Sequence, residues 1–172
     1  MESSSIQFEQ LMLPHLDSAH RLARWLVRNE HDAQDQVQEA YLRAFRFFPQ
    51  FRGGDGRAWL LTIVRNVCFS WLRKNRHADL TDPFDEEIHL KEAAPVDEHS
   101  RRDDSELVSQ ALEKIPALFR EVIVLRELEG LSYKEIAAVA EVPIGTIMSR
   151  LARARRQLQV EVARQLNPQE LK

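Results

Sequence analysis

Apolar residues at steps of three and four fill two stretches of this chain, and the stretch between them has no period. Leu11, His15, Ala19, Leu22 and Leu26 stand a helical turn apart, which places them on one face of a helix running to about Arg28. Asn29-Glu30-His31-Asp32 interrupts that pattern, with Asp32 as the expected N-cap of the next helix. Val37, Tyr41, Ala44, Phe45 and Phe48 give this second helix its buried face. Pro49 ends it, and Phe51-Arg52-Gly53-Gly54-Asp55-Gly56 reads as a loop. A third helix follows, marked by Trp59, Leu60, Ile63, Val67, Trp71 and Leu72 and ending near His77. From Asp79 to Asp104 the period vanishes, and Pro83, Pro95 and an excess of acids replace it. An aperiodic stretch of 26 residues is uncommon inside one compact domain, so it marks a boundary. The expectation is an all-α chain of two small helical domains, 1–78 and 105–172, joined by an acidic flexible linker at 79–104.

Past the boundary, Leu107, Ala111, Leu112 and Ile115 restart the helical period, and Phe119, Val122, Ile123 and Leu125 continue it after Pro116. Gly130 suits the left-handed position that ends such a helix. Ser132-Tyr133-Lys134-Glu135 is a capping box, with Ser as N-cap and Glu three residues on. A short helix is expected from Tyr133 to Ala140, a turn at Glu141-Val142, and a last helix from about Ile144 to Leu166, with Pro143 just before it. A short helix, a tight turn and a longer helix make the outline of a helix-turn-helix. Ile136, Ala140, Val142, Ile147 and Leu151 would set its angle, with small Ala137 where the helices cross.

The last helix has two chemically different faces. Ile147, Leu151, Ala154 and Leu158 fall in one sector, while Ser149, Arg153 and Arg156 lie opposite, flanked by Thr146 and Arg150. From Pro143 to Val160 there are four arginines and no acid. Arginine at such places bonds guanine edges bidentately in the major groove or holds phosphates at its rim. A merely solvated arginine face is the plainer reading. The coincidence of cap, turn and acid-free face favours DNA.

Charge is unevenly spread. Residues 1–78 carry 11 basic and 8 acidic groups, residues 79–104 carry 3 and 10, and residues 105–172 carry 10 and 9. The formal net charge of −3 therefore hides local basic surface and does not exclude nucleic acid. Between Arg52 and Arg76 lie six basic groups and one acid, interleaved with Phe51, Trp59, Phe69 and Trp71. Cations beside aromatics suit single-stranded nucleic acid, although Trp59 and Trp71 also fit the apolar stripe, and Arg73, Lys74 and Arg76 also suit a helix C-terminus. Asp32, Asp35, Gln38, Glu39 and Leu42 share one side of the second helix, which reads either as a solvated stripe or as a docking face for a protein.

Other functions find little support. The single cysteine, Cys68, excludes an internal disulfide framework and a Cys-based zinc site, and it lies in an amphipathic helix with no local His partner. His15 and His20 do not share a helix face, and His77, His89 and His99 show no metal-ligand spacing. Gly53-Gly54-Asp55-Gly56 lacks the Lys and the strand context of a phosphate loop. Neither an enzyme nor a cofactor is expected. Met1-Glu2-Ser3-Ser4-Ser5 has no basic region followed by an apolar stretch, so no secretory leader is expected. No apolar run approaches the ~18 residues of a membrane span, and a cytoplasmic protein without membrane insertion is expected.

Together these segments resemble the extracytoplasmic-function (ECF) class of bacterial RNA polymerase sigma factors, over roughly Leu11–His77 and Glu106–Leu158. The most specific stretch is Leu125-Arg126-Glu127-Leu128-Glu129-Gly130-Leu131-Ser132-Tyr133-Lys134-Glu135-Ile136-Ala137, continued by Val142-Pro143-Ile144-Gly145-Thr146 and Ser149-Arg150-Leu151-Ala152-Arg153-Ala154-Arg155. It resembles the domain that reads the minus-thirty-five promoter element, which implies contacts from Thr146, Ser149, Arg150, Arg153 and Arg156. Asp32 through Ala44 resembles the segment that docks on core polymerase, implying Asp35, Gln38, Glu39, Leu42 and Arg43. Phe51-Arg52-Gly53, Trp59-Leu60 and Arg65-Asn66 resemble the region that melts and captures the minus-ten element, implying Phe51, Arg52, Arg65, Asn66, Arg73, Lys74 and Arg76. The resemblance also implies an anti-sigma protein as a partner of the free factor. This sequence differs from the family pattern at Gln36, where leucine is frequent, at Ser70, where aspartate is usual, and at Met148, where arginine is frequent; the loop Gly53–Ala58 is about one residue short. The alternatives are a stand-alone helix-turn-helix repressor with a sensing or dimerising N-terminal half, and an adaptor whose basic faces bind acidic proteins.

Overall fold

The computed structural model describes residues 2–76, Leu80 and residues 101–168, with side chains from 104 onward in the second stretch. Among these residues all regular structure is helical. The first half holds α1 (Glu2–Met12), α2 (Leu16–Val27), α3 (Glu30–Phe47) and α4 (Gly56–Asn75), and the second holds α5 (Arg101–Lys114), α6 (Ala117–Ile123), α7 (Tyr133–Ala140) and α8 (Ile144–Leu166). Most of the expected linker, 79–104, lies outside the described residues. Its last four positions belong to α5, which begins at Arg101.

Local chemistry sets the ends of these helices. Pro14 in the turn Leu13–His15 separates α1 from α2, because it supplies no N–H to continue the α1 ladder. The stripe expected on one helix is therefore split, and Leu11 lies exposed outside the core. Asn29, rather than Asp32, is the N-cap of α3, its side chain accepting a hydrogen bond from the Asp32 N–H at 3.0 Å. Asp55 caps α4 in the same way through the Ala58 N–H. Gly53 and Gly54 precede it with φ of +85° and +91°, a conformation that costs a residue bearing Cβ.

Helices α2, α3 and α4 pack on one another around Leu22, Leu26, Val37, Ala44, Leu60, Leu61, Val64 and Leu72. Phe45 is about half exposed rather than buried, yet its ring meets Phe8 edge-on at 5.2 Å. Phe8 also meets Tyr41 and Phe48 edge-on, so α1 is fastened by aromatic contacts. The Tyr41 hydroxyl donates to the Met12 carbonyl, and burial, then the nearby Asp17 charge, pushes its pKa up to about 12. Trp59 and Trp71 are partly buried against the core. Cys68 is fully buried, and burial, with the Glu121 charge second, pushes its thiol up to about 12, which keeps it a neutral packing group.

In the second half, α6 runs into a wide π-turn at Val124–Leu128, closed by Gly130 at φ +67°. The Leu131 N–H reaches back to the Leu125 carbonyl at 3.0 Å and satisfies that helix end. The capping box forms in full: Ser132 Oγ accepts from the Glu135 N–H, and Glu135 accepts from the Ser132 N–H. Glu141 at φ +56° makes the turn into α8. Ile136, Ala140, Ile147, Leu151 and Ala154 are buried where α6, α7 and α8 meet, as the helix-turn-helix pattern required.

The two halves are not apart. Helix α4 packs against α7 and α2 packs against α6, and one buried apolar cluster runs through both halves.

Candidate nucleic-acid interface

Three groups of side chains carry the sequence-based expectations, and the fold gives each a definite place. On α3, Asp35, Gln38, Leu42 and Arg43 are exposed and Glu39 is half-buried, all on the side opposite Val37, Ala40 and Ala44. Arg43 Nε donates to Glu39 Oε1 at 2.6 Å, and His31 stands 3.6 Å from the Asp35 carboxylate. Leu42 is 58% exposed among these charges.

The second group surrounds the start and end of α4. Phe51 is half-buried, stacked on Phe48 at 5.9 Å and tilted against Trp59 at 5.1 Å, while Arg52 is exposed on the glycine loop. Asn66 is exposed on the helix itself. Arg73 and Lys74 lie exposed in the last turn, and Arg76, just beyond it, has its guanidinium 5.8 Å from the Trp71 ring. Arg65 is placed differently. It lies over the Phe69 ring, is only 14% exposed, and donates Nε to Glu121 Oε1 and Nη2 to Glu121 Oε2. Glu121 belongs to α6 in the other half.

The third group lies on α8. Arg153, Arg156 and Ser149 are exposed, with the Ser149 hydroxyl donating to the Gly145 carbonyl one turn back. Thr146 is half-buried. Arg150 is half-buried and close enough to Glu121 for its charge to stabilise that carboxylate. Arg155, outside the expected set, donates to Glu127 at 3.0 Å and so ties α8 to the π-turn. Ile144 and Met148, one turn apart at the head of α8, are also exposed.

Sequence reasoning missed a fourth group, the charges buried between the halves. Glu121 is fully buried, and burial drives its carboxyl up from the usual range although Arg65, then Arg150, oppose that. Glu129 has a side chain 1% exposed. It accepts from Arg21 of α2 at 2.5 Å and from Arg57 of α4 at 2.6 Å. Burial alone would raise its pKa, but the bonds from Ser18, Arg21 and Arg57 outweigh burial and hold it below the usual carboxylate range. Arg120, fully buried, donates to the Ile115 carbonyl and across to the Leu26 carbonyl, the latter at 3.1 Å. Arg28 returns the contact by donating to the Glu113 carbonyl. The available signal was the run Phe119-Arg120-Glu121-Val122-Ile123, where two charges occupy positions amid a helix with apolar residues on either side.

No cluster of three or more metal-binding side chains occurs among the described residues, and no described helix is long and apolar enough to cross a membrane.

The family model for sigma-70 region 2 matches residues 11–78, and that for sigma-70 region 4 matches residues 105–158. The chain is 34% identical over 161 residues to the ECF RNA polymerase sigma factor SigE of Mycolicibacterium smegmatis, covering 91% of this chain and 62% of that protein. It is 35% identical over 161 residues to the RNA polymerase sigma-H factor of Pseudomonas aeruginosa, covering 86% of this chain and 82% of that one. Among solved structures, the sigma factor RpoE of Bartonella quintana, in complex with the anti-sigma factor NepR, superposes with a TM-score of 0.70 at 31% identity, covering 91% of this chain and 96% of its own. Two matched regions, a helix-turn-helix built as the sequence required and relatives similar across nearly the whole chain identify it as a member of the ECF class of sigma-70 RNA polymerase sigma factors.

Proposed function

We propose that this chain binds core RNA polymerase in the cytoplasm and directs promoter-specific transcription initiation, acting by binding rather than by catalysis. Sigma factors as a class are non-enzymatic initiation factors. The observation that carries the reading is α8: a recognition helix fixed by a complete capping box and a left-handed turn, with Arg153 and Arg156 exposed on an acid-free face. Residues 1–78 serve as the docking and melting domain, 79–104 as the acidic linker and 105–172 as the upstream-reading domain. Asp35, Gln38, Glu39, Leu42 and Arg43 dock on polymerase. Phe51, Arg52, Arg65, Asn66, Arg73, Lys74 and Arg76 hold the opened minus-ten strand. Thr146, Ser149, Arg150, Arg153 and Arg156 read or clamp the minus-thirty-five duplex. An anti-sigma protein controls the free factor, a proposal supported by the likeness to RpoE, whose structure was solved with such a partner.

The test is co-elution of the purified chain with core RNA polymerase, with and without promoter DNA. A ternary complex that forms only when both proteins are present supports the reading. Glu39→Lys reverses a charge on the docking stripe and is expected to abolish co-elution while leaving helical content unchanged. A Glu39→Lys chain that still co-elutes removes that stripe from the docking surface. Specific DNA binding by the chain alone, with no gain from polymerase, points instead to a repressor.

A further inference from the structure

The head of α8 is exposed and carries no charged side chain. Ile144, Gly145, Met148 and Ser149 are its exposed residues, and the first charge, Arg150, is half-buried and acts on Glu121. Ile144 is 49% exposed and Met148 54%. Standing one turn apart, they share a side of the helix and make one apolar surface. The core does not use them, since α8 buries Ile147, Leu151 and Ala154 instead. The helix surface beside them is low: Gly145 and Ala152 are small and exposed, and a Cβ placed on Gly145 would meet nothing within 4 Å. Ser149, next to Met148, donates its hydroxyl proton to the Gly145 carbonyl. This end of the helix therefore offers carbon and sulfur where Arg153 and Arg156 further along offer donors.

The position of this surface points to its occupant. It continues the exposed face of Ser149, Arg153 and Arg156, and no acid stands between Pro143 and Val160 to repel a phosphate backbone. In a helix-turn-helix the N-terminal residues of the second helix meet base edges in the major groove. Among the groups displayed there, the C5-methyl of thymine is the apolar one, and apolar side chains contact it. Methionine, unbranched and polarisable, adapts its shape to such a contact. We propose that Met148, flanked by Ile144, is a specificity-determining residue that selects thymine in the upstream element by packing on its C5-methyl. The inference deepens the proposed function and rests on its assignment of α8 to duplex DNA.

The full-length chain, with core RNA polymerase and without it, first selects upstream duplexes from a randomised pool. Each thymine of the selected sequence is then replaced singly by deoxyuridine, which pairs as thymine does and lacks only the methyl. For the native chain, replacement at one or two neighbouring thymines should weaken binding about fourfold each, the effect of withdrawing roughly one buried methyl. In Met148→Ala that penalty should disappear at the same thymines and the selection for T there should relax, whereas Met148→Leu should keep both. Arg153→Ala should bind more weakly yet keep the deoxyuridine penalty, which separates the methyl contact from a general loss of affinity. Circular dichroism checks that each variant keeps its helical content. Polymerase-dependent selection with no deoxyuridine penalty at any thymine overturns the inference alone. So does a penalty unchanged in Met148→Ala and Ile144→Ala, which would leave their surface to a protein partner. If the methyl-dependent binding occurs without polymerase and polymerase adds nothing, the contact stands and the proposed function falls. A chain that selects no duplex under either condition overturns both.

Discussion

At the scale of the residue, one side-chain type stands in three different surroundings in this chain. Arg120 is wholly buried and spends its donors on backbone carbonyls at the ends of two helices. Arg155 is tied to Glu127 and braces the recognition helix. Arg153 and Arg156, on the same helix, are exposed on the side away from the core. Spacing alone separates the outward pair from the core stripe, which is why Arg153 and Arg156 were legible in the sequence. It does not separate Arg65 from Arg73, because the partner that occupies Arg65 is Glu121, 56 positions away. Arg153→Ala is expected to weaken upstream promoter binding by about 1–3 kcal/mol and to relax base preference at one position. Binding measured against single-base promoter variants checks this, and unchanged affinity and preference exclude a base contact.

At the scale of the element, the turns were more legible than the faces. Gly130, the Ser132–Glu135 box and the extent of α7 follow from local chemistry, and the structure has all three. The N-cap of α3 did not follow, because Asn29 and Asp32 are both competent caps three residues apart and the choice depends on where the chain leaves α2. Phe45 was misplaced for another reason: α1 supplies Phe8 as an aromatic partner near the surface, and no pattern in α3 announces it. Ser132→Ala removes a cap worth about 1 kcal/mol, and Gly130→Ala forces a Cβ into left-handed backbone at a similar cost. Each should lower Tm by roughly 2–4 °C in a chain of this size. An unchanged Tm for either variant would show that the segment before α7 does not unfold with the rest of the molecule.

At the scale of the whole molecule, the two-domain division was legible in the aperiodic acidic strip, and the packing of the halves on each other was not. The contacts responsible join an apolar cluster that runs through both halves with polar groups distant in sequence, and a pattern-based reading treats those polar residues as surface. The two buried carboxylates respond to pH with opposite signs. Glu129 sits below its ordinary pKa, so its contribution to the packed form is fully present above the ordinary carboxylate range and lost as pH falls through the lowered value. Glu121 sits above, so its contribution is fully present below the ordinary range and lost as pH rises through the raised value. The packed form is therefore expected to be most stable at mildly acidic pH and to weaken below about pH 4. Thermal melts across pH check this: Glu129→Gln should flatten the acid limb and Glu121→Gln the neutral limb, and superimposable profiles would contradict both assignments.

Mapping transcript starts from a promoter library, with the purified chain and core RNA polymerase supplied together and separately, tests the central claim most directly. The account predicts specific starts only with both present, sharing one upstream and one minus-ten element, and lost in the Glu39→Lys chain. Starts that are independent of the chain, or polymerase left unselective by it, would contradict the claim that it is the specificity subunit of a transcribing complex.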